Sequence, residues 1–299
     1  MDGLKLKSNS SRTVMGAHER VSAAASPVQG TTIHTDAQGL VVGETSVSSA
    51  GFEVPVYFAK PSLGSGLHPV LLVVSEVFGV HAHIAHVCRR LAKRGYLALA
   101  PDLFARCGDA SAYQTLPELM REVVSRTADT QVIADLDAAA AHAGVLGGDV
   151  GRLGITGFCW GGRITWLYAA HNAGVNAGVA WYGRLDGDVT ECTPAHPVSV
   201  ASRLCAPVLG LYGGQDPIVP AAHLSAMRAG LEQGSPAARS SRIDVYPHAG
   251  HAFFADYRAS YQPADAAHAW GECLRGCART ALRDVLGEHS GCMTSCRPS

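Results

Sequence analysis

Charge is scarce in this sequence. The 24 Lys+Arg and 25 Asp+Glu residues among 299 leave a formal net charge of −1. Without a basic excess there is no field to hold a phosphate backbone, so no nucleic-acid partner is expected. Long apolar runs are missing too: the longest aliphatic stretch, Val70 to Val74, is strand-sized and far short of the roughly 18 residues that span a bilayer. No membrane partner is expected. No apolar segment of roughly 7–15 residues accompanies the early Lys5 and Lys7, which argues against a secretory signal. Nine cysteines are present, yet no C-x-x-C pair occurs among them. An odd, scattered set in a chain large enough to build its own core reads as reduced thiols in a cytoplasmic protein.

What the sequence does contain is a repeated exchange of strand and helix patterns. Residues 1–30 are rich in Ser, Ala and Gly without periodicity and read as a flexible leader. Residues 31–286 read as one domain, and 287–299 as a disordered tail. "FEVPVYFAKP" (Phe52–Pro61) alternates like an antiparallel strand, whereas "HPVLLVVSE" (His68–Glu76) is continuously apolar, as a strand buried on both faces must be. "HIAHVCRRLAKRG" then takes helical spacing and stops at Gly95, and "YLALAPD" returns to strand. The same pattern predicts helices over 131–143, 161–172, 221–233 and from about Pro263, with strands over 152–156, 177–182, 206–212 and 242–247. This alternation specifies an α/β fold with a doubly wound, mostly parallel sheet and helices on both faces.

Within that scheme "GFCWGG" falls at a strand-to-helix turn, with Gly157 and Gly161 flanking Cys159 in a G-x-nucleophile-x-G elbow. Such a turn lifts the side chain clear of the backbone, and the following helix N-terminus favours a thiolate. By itself the pentapeptide is equally compatible with a packed thiol. "YGGQDPIVP" offers Asp216 and "HAGHAFF" offers His251, each beyond a predicted strand. The order nucleophile, acid, histidine is that of α/β-hydrolases, and all three lie where such sheets keep their sites. Glu76 ends a strand whose composition predicts deep burial, so its carboxylate needs a partner or a raised pKa. A structural ion pair and a charge held near the thiol are both open.

Together "SEVFGVH", "GFCWGGR", "GGQD" and "AGHAFFADYR" resemble the dienelactone hydrolase (carboxymethylenebutenolidase) family from about Thr31 to Trp270, and within it the bacterial proteins carrying the carboxymethylenebutenolidase name. The resemblance implies an α/β-hydrolase fold and a cofactor-free cysteine hydrolase of a small ester or lactone. Cys159 would attack the carbonyl, His251 would act as base and then acid, and Asp216 would orient the imidazole. It also implies an oxyanion hole from the backbone N–H groups of Val77 and Trp160. Glu76 would hold the resting thiol and release it when substrate binds. The expected partner is a small-molecule ester or lactone, taken up by a monomer or small homo-oligomer.

Departures from the family pattern bear on the substrate. Well-studied dienelactone hydrolases follow the histidine with Ser-Phe-Ala-Arg, whose arginine binds the substrate carboxylate, whereas "HAFFADYR" displaces the arginine to Arg258. Arg121 and Arg126 are candidates for a second carboxylate-binding arginine, and Tyr182 and Phe253 are candidates to line the pocket. Trp166 and Tyr168 read as core. His81, His83 and His86 straddle a loop and a helix start and read as structural, so no metal is expected. Cys273 and Cys277 share a helix face but lack partners at zinc spacing; the segment from there on reads as a frayed extension. The segments 102–130 and 183–204 could each cover the pocket. The competing readings are a redox-sensing module of the same fold with Cys159 as a reactive thiol, and a thioesterase.

Overall fold

The computed structural model describes residues 21–63 and 66–281. Eight strands form one sheet in the order β1-β2-β4-β3-β5-β6-β7-β8: β1 (Leu40–Ser49), β2 (Phe52–Pro61), β3 (His68–Val74), β4 (Leu97–Pro101), β5 (Gly148–Phe158), β6 (Val175–Trp181), β7 (Val208–Gly213) and β8 (Arg242–Tyr246). β1 and β2 pair antiparallel, as do β2 and β4; every later pairing is parallel. The helices are α1 (Ala82–Ala92), α2 (Leu116–Glu122), α3 (Asp129–His142), α4 (Trp160–His171), α5 (Pro197–Val200), α6 (Ala221–Glu232), α7 (Pro236–Arg239) and α8 (Pro263–Ala281).

The continuous apolar runs follow from burial on both faces. In β3, Leu71 and Val73 enter one core, where Ile84, Val87 and Leu91 of α1 and Ala266, Ala269, Cys273 and Cys277 of α8 cover the sheet. Val70, Leu72 and Val74 enter the other, covered by Val132 and Leu136 of α3, Ile164 and Leu167 of α4, and Leu224 and Met227 of α6. Side chains alternate across a strand, so one five-residue run feeds two cores. Trp166 and Tyr168 are fully buried. Among the described residues no helix is long and apolar enough to cross a membrane.

Three features depart from expectation. β1 was not foreseen, because "LVVGETSVSS" is an edge strand whose inward face from Gly43 to Ser49 is Gly, Thr, Val and Ser, too little apolar alternation to mark it. Residues 21–30 are not a free leader. Ser22 is buried and its hydroxyl donates to the Tyr113 carbonyl (3.0 Å), Ala24 and Ala25 join the core, and the Val28 N–H donates to the Tyr257 carbonyl (2.8 Å). The segment from Cys273 to Ala281 is helical rather than frayed; hydrogen bonding to Cys277 and burial push the Cys273 thiol up. Residues 1–20 of the expected leader and the tail expected at 287–299 lie outside the described residues.

Candidate active site

Cys159 sits between β5 and α4 with φ +53° and ψ −112°, a conformation that costs a non-glycine residue energy and is held here by its surroundings. Its N–H donates to the Trp181 carbonyl (2.9 Å) and its own carbonyl accepts from the Arg163 N–H (3.2 Å), so β6 and the first turn of α4 clamp the elbow. The turn closes only because Gly157 has no side chain: a Cβ there would lie 2.2 Å from the Gly161 carbonyl oxygen. Gly157→Ala is therefore expected to lower stability by about 1–3 kcal/mol through overpacking and to reduce turnover about a hundredfold by displacing the sulfur. Urea unfolding beside ester kinetics would check both; an alanine variant with native stability and rate would show that the elbow tolerates the extra carbon.

The acid and the histidine are set by two loops pinned to one another. Past β7, the Gly214 N–H donates to the Tyr246 carbonyl (2.7 Å) and the Gln215 N–H to the Ala249 carbonyl (2.9 Å). A Cβ on Gly213 would lie 2.4 Å from the Ala249 oxygen, so glycine is what lets the loops meet. This closeness brings Asp216 Oδ2 to 2.8 Å from His251 Nδ1, while Asp216 Oδ1 accepts from the Ile218 N–H (2.8 Å). His251 Nε2 in turn lies 3.2 Å from Cys159 Sγ. Burial alone would lower the His251 pKa, but the Cys159 sulfur and the hydrogen bond to Asp216 push it up to about 10. Nδ1 then donates to the carboxylate and Nε2 faces the sulfur.

Glu76 is buried just past β3, as its position predicted, yet its partner differs from the one the family resemblance implies. Its Oε2 lies 3.1 Å from His81 Nε2, while the sulfur faces His251. Burial alone would raise the Glu76 pKa, but the His81 hydrogen bond and the charges of His81, His83 and Arg258 hold the carboxyl below its ordinary range. The neighbouring histidines also have partners: His83 Nδ1 faces Asp256 Oδ1 at 2.8 Å, and His86 Nδ1 accepts from the Thr35 N–H at 2.9 Å. Among the described residues no group of three or more His, Cys, Asp or Glu is arranged to hold a metal ion.

The remaining candidates divide. Val77 and Trp160 follow the carboxyl ends of the adjacent strands β3 and β5, and the Trp160 N–H, in the first turn of α4, has no intrahelical acceptor. The Tyr182 ring stands edge-on to His251 (5.3 Å between centroids), and its fully buried hydroxyl makes no hydrogen bond among the described residues. Burial, with Glu76 and Cys159 nearby, pushes that hydroxyl well above the usual phenol range, so it stays a donor. Arg258 lies over the Phe78 ring at 5.6 Å and within the field of Glu76. Phe253 has no exposed surface to offer a ligand; it is core, packed against Tyr246 and Tyr182. Arg121 and Arg126 are exposed residues that both pair with Glu122.

One element was overlooked. Arg163, buried one turn after Cys159, donates to both oxygens of Asp129 (2.7 and 2.6 Å), to the Ala195 carbonyl (2.6 Å) and to His196 Nδ1 (3.3 Å). The Asp129 N–H donates to the Cys192 carbonyl (2.8 Å), so this arginine ties the 102–130 and 183–204 segments to the elbow. The Phe104 ring also packs on Trp160, 4.6 Å between centroids. The available signal was an arginine on an otherwise apolar helix, which requires a carboxylate from elsewhere.

A family model described as the Dienelactone hydrolase family matches residues 54–277. A Yersinia pestis protein bearing the name "Putative carboxymethylenebutenolidase" is 52% identical over 247 residues, covering 81% of this chain and 91% of that one. A Methylorubrum extorquens protein of the same name is 55% identical over 241 residues, covering 80% and 81%. The crystal structure of a "Putative Dienelactone Hydrolase" from Klebsiella pneumoniae is 50% identical, with a TM-score of 0.78 over 80% of this chain and 99% of that one.

Proposed function

The chain belongs to the dienelactone hydrolase family and is a carboxylic ester hydrolase, and from that premise we propose that it cleaves a small lactone or ester through a Cys159–His251–Asp216 triad and a thioester intermediate. The observation that carries the reading is the unbroken line of contacts from Cys159 Sγ through the His251 imidazole to Asp216 Oδ2.

The sulfur, as thiolate, attacks the carbonyl carbon; a C–S bond forms and negative charge moves to the carbonyl oxygen. The N–H groups of Val77 and Trp160 would receive that oxygen, and each such donor is worth about 10²–10³ in rate. The C–O bond to the leaving group then breaks, and the His251 imidazolium protonates the departing oxygen. In a lactone this opens the ring and leaves the whole substrate attached as a thioester. A water molecule, deprotonated by the now neutral His251, attacks the thioester. The C–S bond breaks and the carboxylic acid leaves.

Arg121 and Arg126 are already paired at the surface, which favours a substrate without a second carboxylate near that helix. A panel of aryl esters and enol lactones tests the assignment. Turnover of neutral members supports it, and a folded, reduced protein that hydrolyses none of them contradicts it.

The pH dependence follows from the raised His251. Below about 10 the imidazolium is present and can protonate the leaving oxygen. As pH rises through that value the proton is lost, so kcat/KM is expected to fall on the alkaline side. Asp216 is one of the groups that raise His251, so Asp216→Asn is expected to move this fall to lower pH. A pH–rate profile on one ester checks it; an alkaline limb unmoved in Asp216→Asn would show that the carboxylate does not govern the imidazole.

A further inference from the structure

Two acidic groups, the buried Glu76 carboxyl and the half-buried Cys159 thiol, lie just past adjacent parallel strands. Val74 of β3 and Gly157 of β5 are register partners, and Glu76 and Cys159 each lie two residues further on. Neighbouring strands run about 4.8 Å apart, and the Tyr182 hydroxyl lies in the field of both groups. Left to itself, a buried carboxylate in this position would turn to the thiol, because burial without a hydrogen-bond partner is costly. An S–H donating to it would stay protonated, and a carboxylate beside the sulfur would oppose its ionisation.

The structure shows another arrangement. Glu76 Oε2 is engaged by His81 Nε2 at 3.1 Å, in a pair with almost no solvent exposure. His81 is itself held by rings: edge-on to Tyr257 (4.9 Å) and Phe78 (6.4 Å) and stacked on His83 (6.1 Å), which is fixed by Asp256. The sulfur is left to His251. We infer that His81 is a positioning residue that keeps the Glu76 carboxylate off Cys159, so that the thiol is paired with His251 before substrate arrives. The charged and titratable groups facing this pair are accounted for: His83 from α1, Asp256, Tyr257 and Arg258 from the loop before α8, and Tyr182 after β6; the sulfur meets His251, with Asp216 behind it.

The inference rests on Cys159 being the nucleophile, but its test does not require turnover. The second-order rate of iodoacetamide addition to Cys159 is measured by peptide mass spectrometry across the neutral pH range. A like charge brought to about 4–6 Å shifts ionisation by a unit or more. His81→Phe, which retains a ring but no N–H, is therefore expected to slow alkylation at neutral pH about tenfold and move its pH profile upward. Adding Glu76→Gln to that variant is expected to restore the rate to within about threefold, and His81→Gln, which keeps a donor, to stay near wild type. A merely structural role for His81 would not be repaired by Glu76→Gln. Alkylation of His81→Phe with the wild-type rate and profile overturns the inference.

A second arm leaves His81 untouched. Glu76→Gln alone is expected to change the rate by less than about threefold, and a tenfold rise would mean that the carboxylate already clasps the thiol. If the expected alkylation pattern appears in a protein that hydrolyses no ester, the hydrolase reading fails and the positioning stands. If esters are turned over and the pattern is absent, the reverse holds.

Discussion

Cys159→Ala is expected to hydrolyse an activated ester at least about 10⁴-fold more slowly than wild type, because members of a catalytic triad act as a unit and loss of the nucleophile removes the covalent route. What remains would be the oxyanion donors and binding alone. The cavity left by a sulfur at a half-buried elbow is small, so the variant should fold as the wild type does. The elbow conformation is held by backbone contacts to Trp181 and Arg163, not by the side chain. Cys159→Ser should also lose most activity: a serine hydroxyl resists ionisation where a thiol does not, and the longer reach of the sulfur to His251 is lost. Steady-state kinetics on a p-nitrophenyl ester, with circular dichroism as the folding control, reads both. A Cys159→Ala protein within tenfold of wild type would remove the nucleophile from the account.

The largest expected effect on stability is at Asp129. Its carboxylate meets Arg163 in a bidentate pair with both side chains buried. Removing one partner of such a pair strands the other charge in a medium that cannot solvate it, at a cost of about 3–5 kcal/mol. Asp129→Ala is therefore expected to unfold at much lower urea, with a midpoint temperature lower by roughly 10 °C. The Ala195 carbonyl and His196 would still accept from the guanidinium but carry no compensating charge. Replacing both residues by apolar ones of similar volume, as in Arg163→Met with Asp129→Leu, should recover most of the loss. Equilibrium unfolding of the two variants decides it, and a loss under about 1 kcal/mol in Asp129→Ala would show that water reaches the pair. Arg163 lies one turn after Cys159 and joins two loops, so the single variant should lose activity along with stability.

These two residues differ in how far the sequence revealed them, and the reason is physical. Cys159 and Asp216 fall just past apolar runs, and such runs register burial through composition alone, so β3, β5, β6 and β7 were legible for that reason; His251 follows the alternating edge strand β8. β1 was not, since the face it turns inward is built from Gly43, Thr45, Val47 and Ser49 rather than from an apolar run. Glu76 announced its burial but not its partner. The choice between Cys159 and His81 depends on how the loop from Glu76 to His81 folds back, which pattern does not encode. Arg163 and Asp129 are separated by 34 positions, and nothing local to either one points to the other. The docking of Ser22 on the Tyr113 carbonyl is likewise a contact between distant segments, and composition described its surroundings as a free leader. Arg121 and Arg126 are candidates only through the family resemblance, and Glu122 beside them pairs with both at the surface.

The central claim is that hydrolysis passes through an acyl group on Cys159. It is tested most directly by mixing reduced protein with an activated ester whose thioester hydrolyses slowly, quenching in acid, and mapping the peptide that contains Gly154–Ala170. The account predicts one acyl equivalent on Cys159, formed faster than steady-state turnover and removed by hydroxylamine. Continued product release with the acyl group on another residue, or with no adduct on Cys159 at any time, would contradict it.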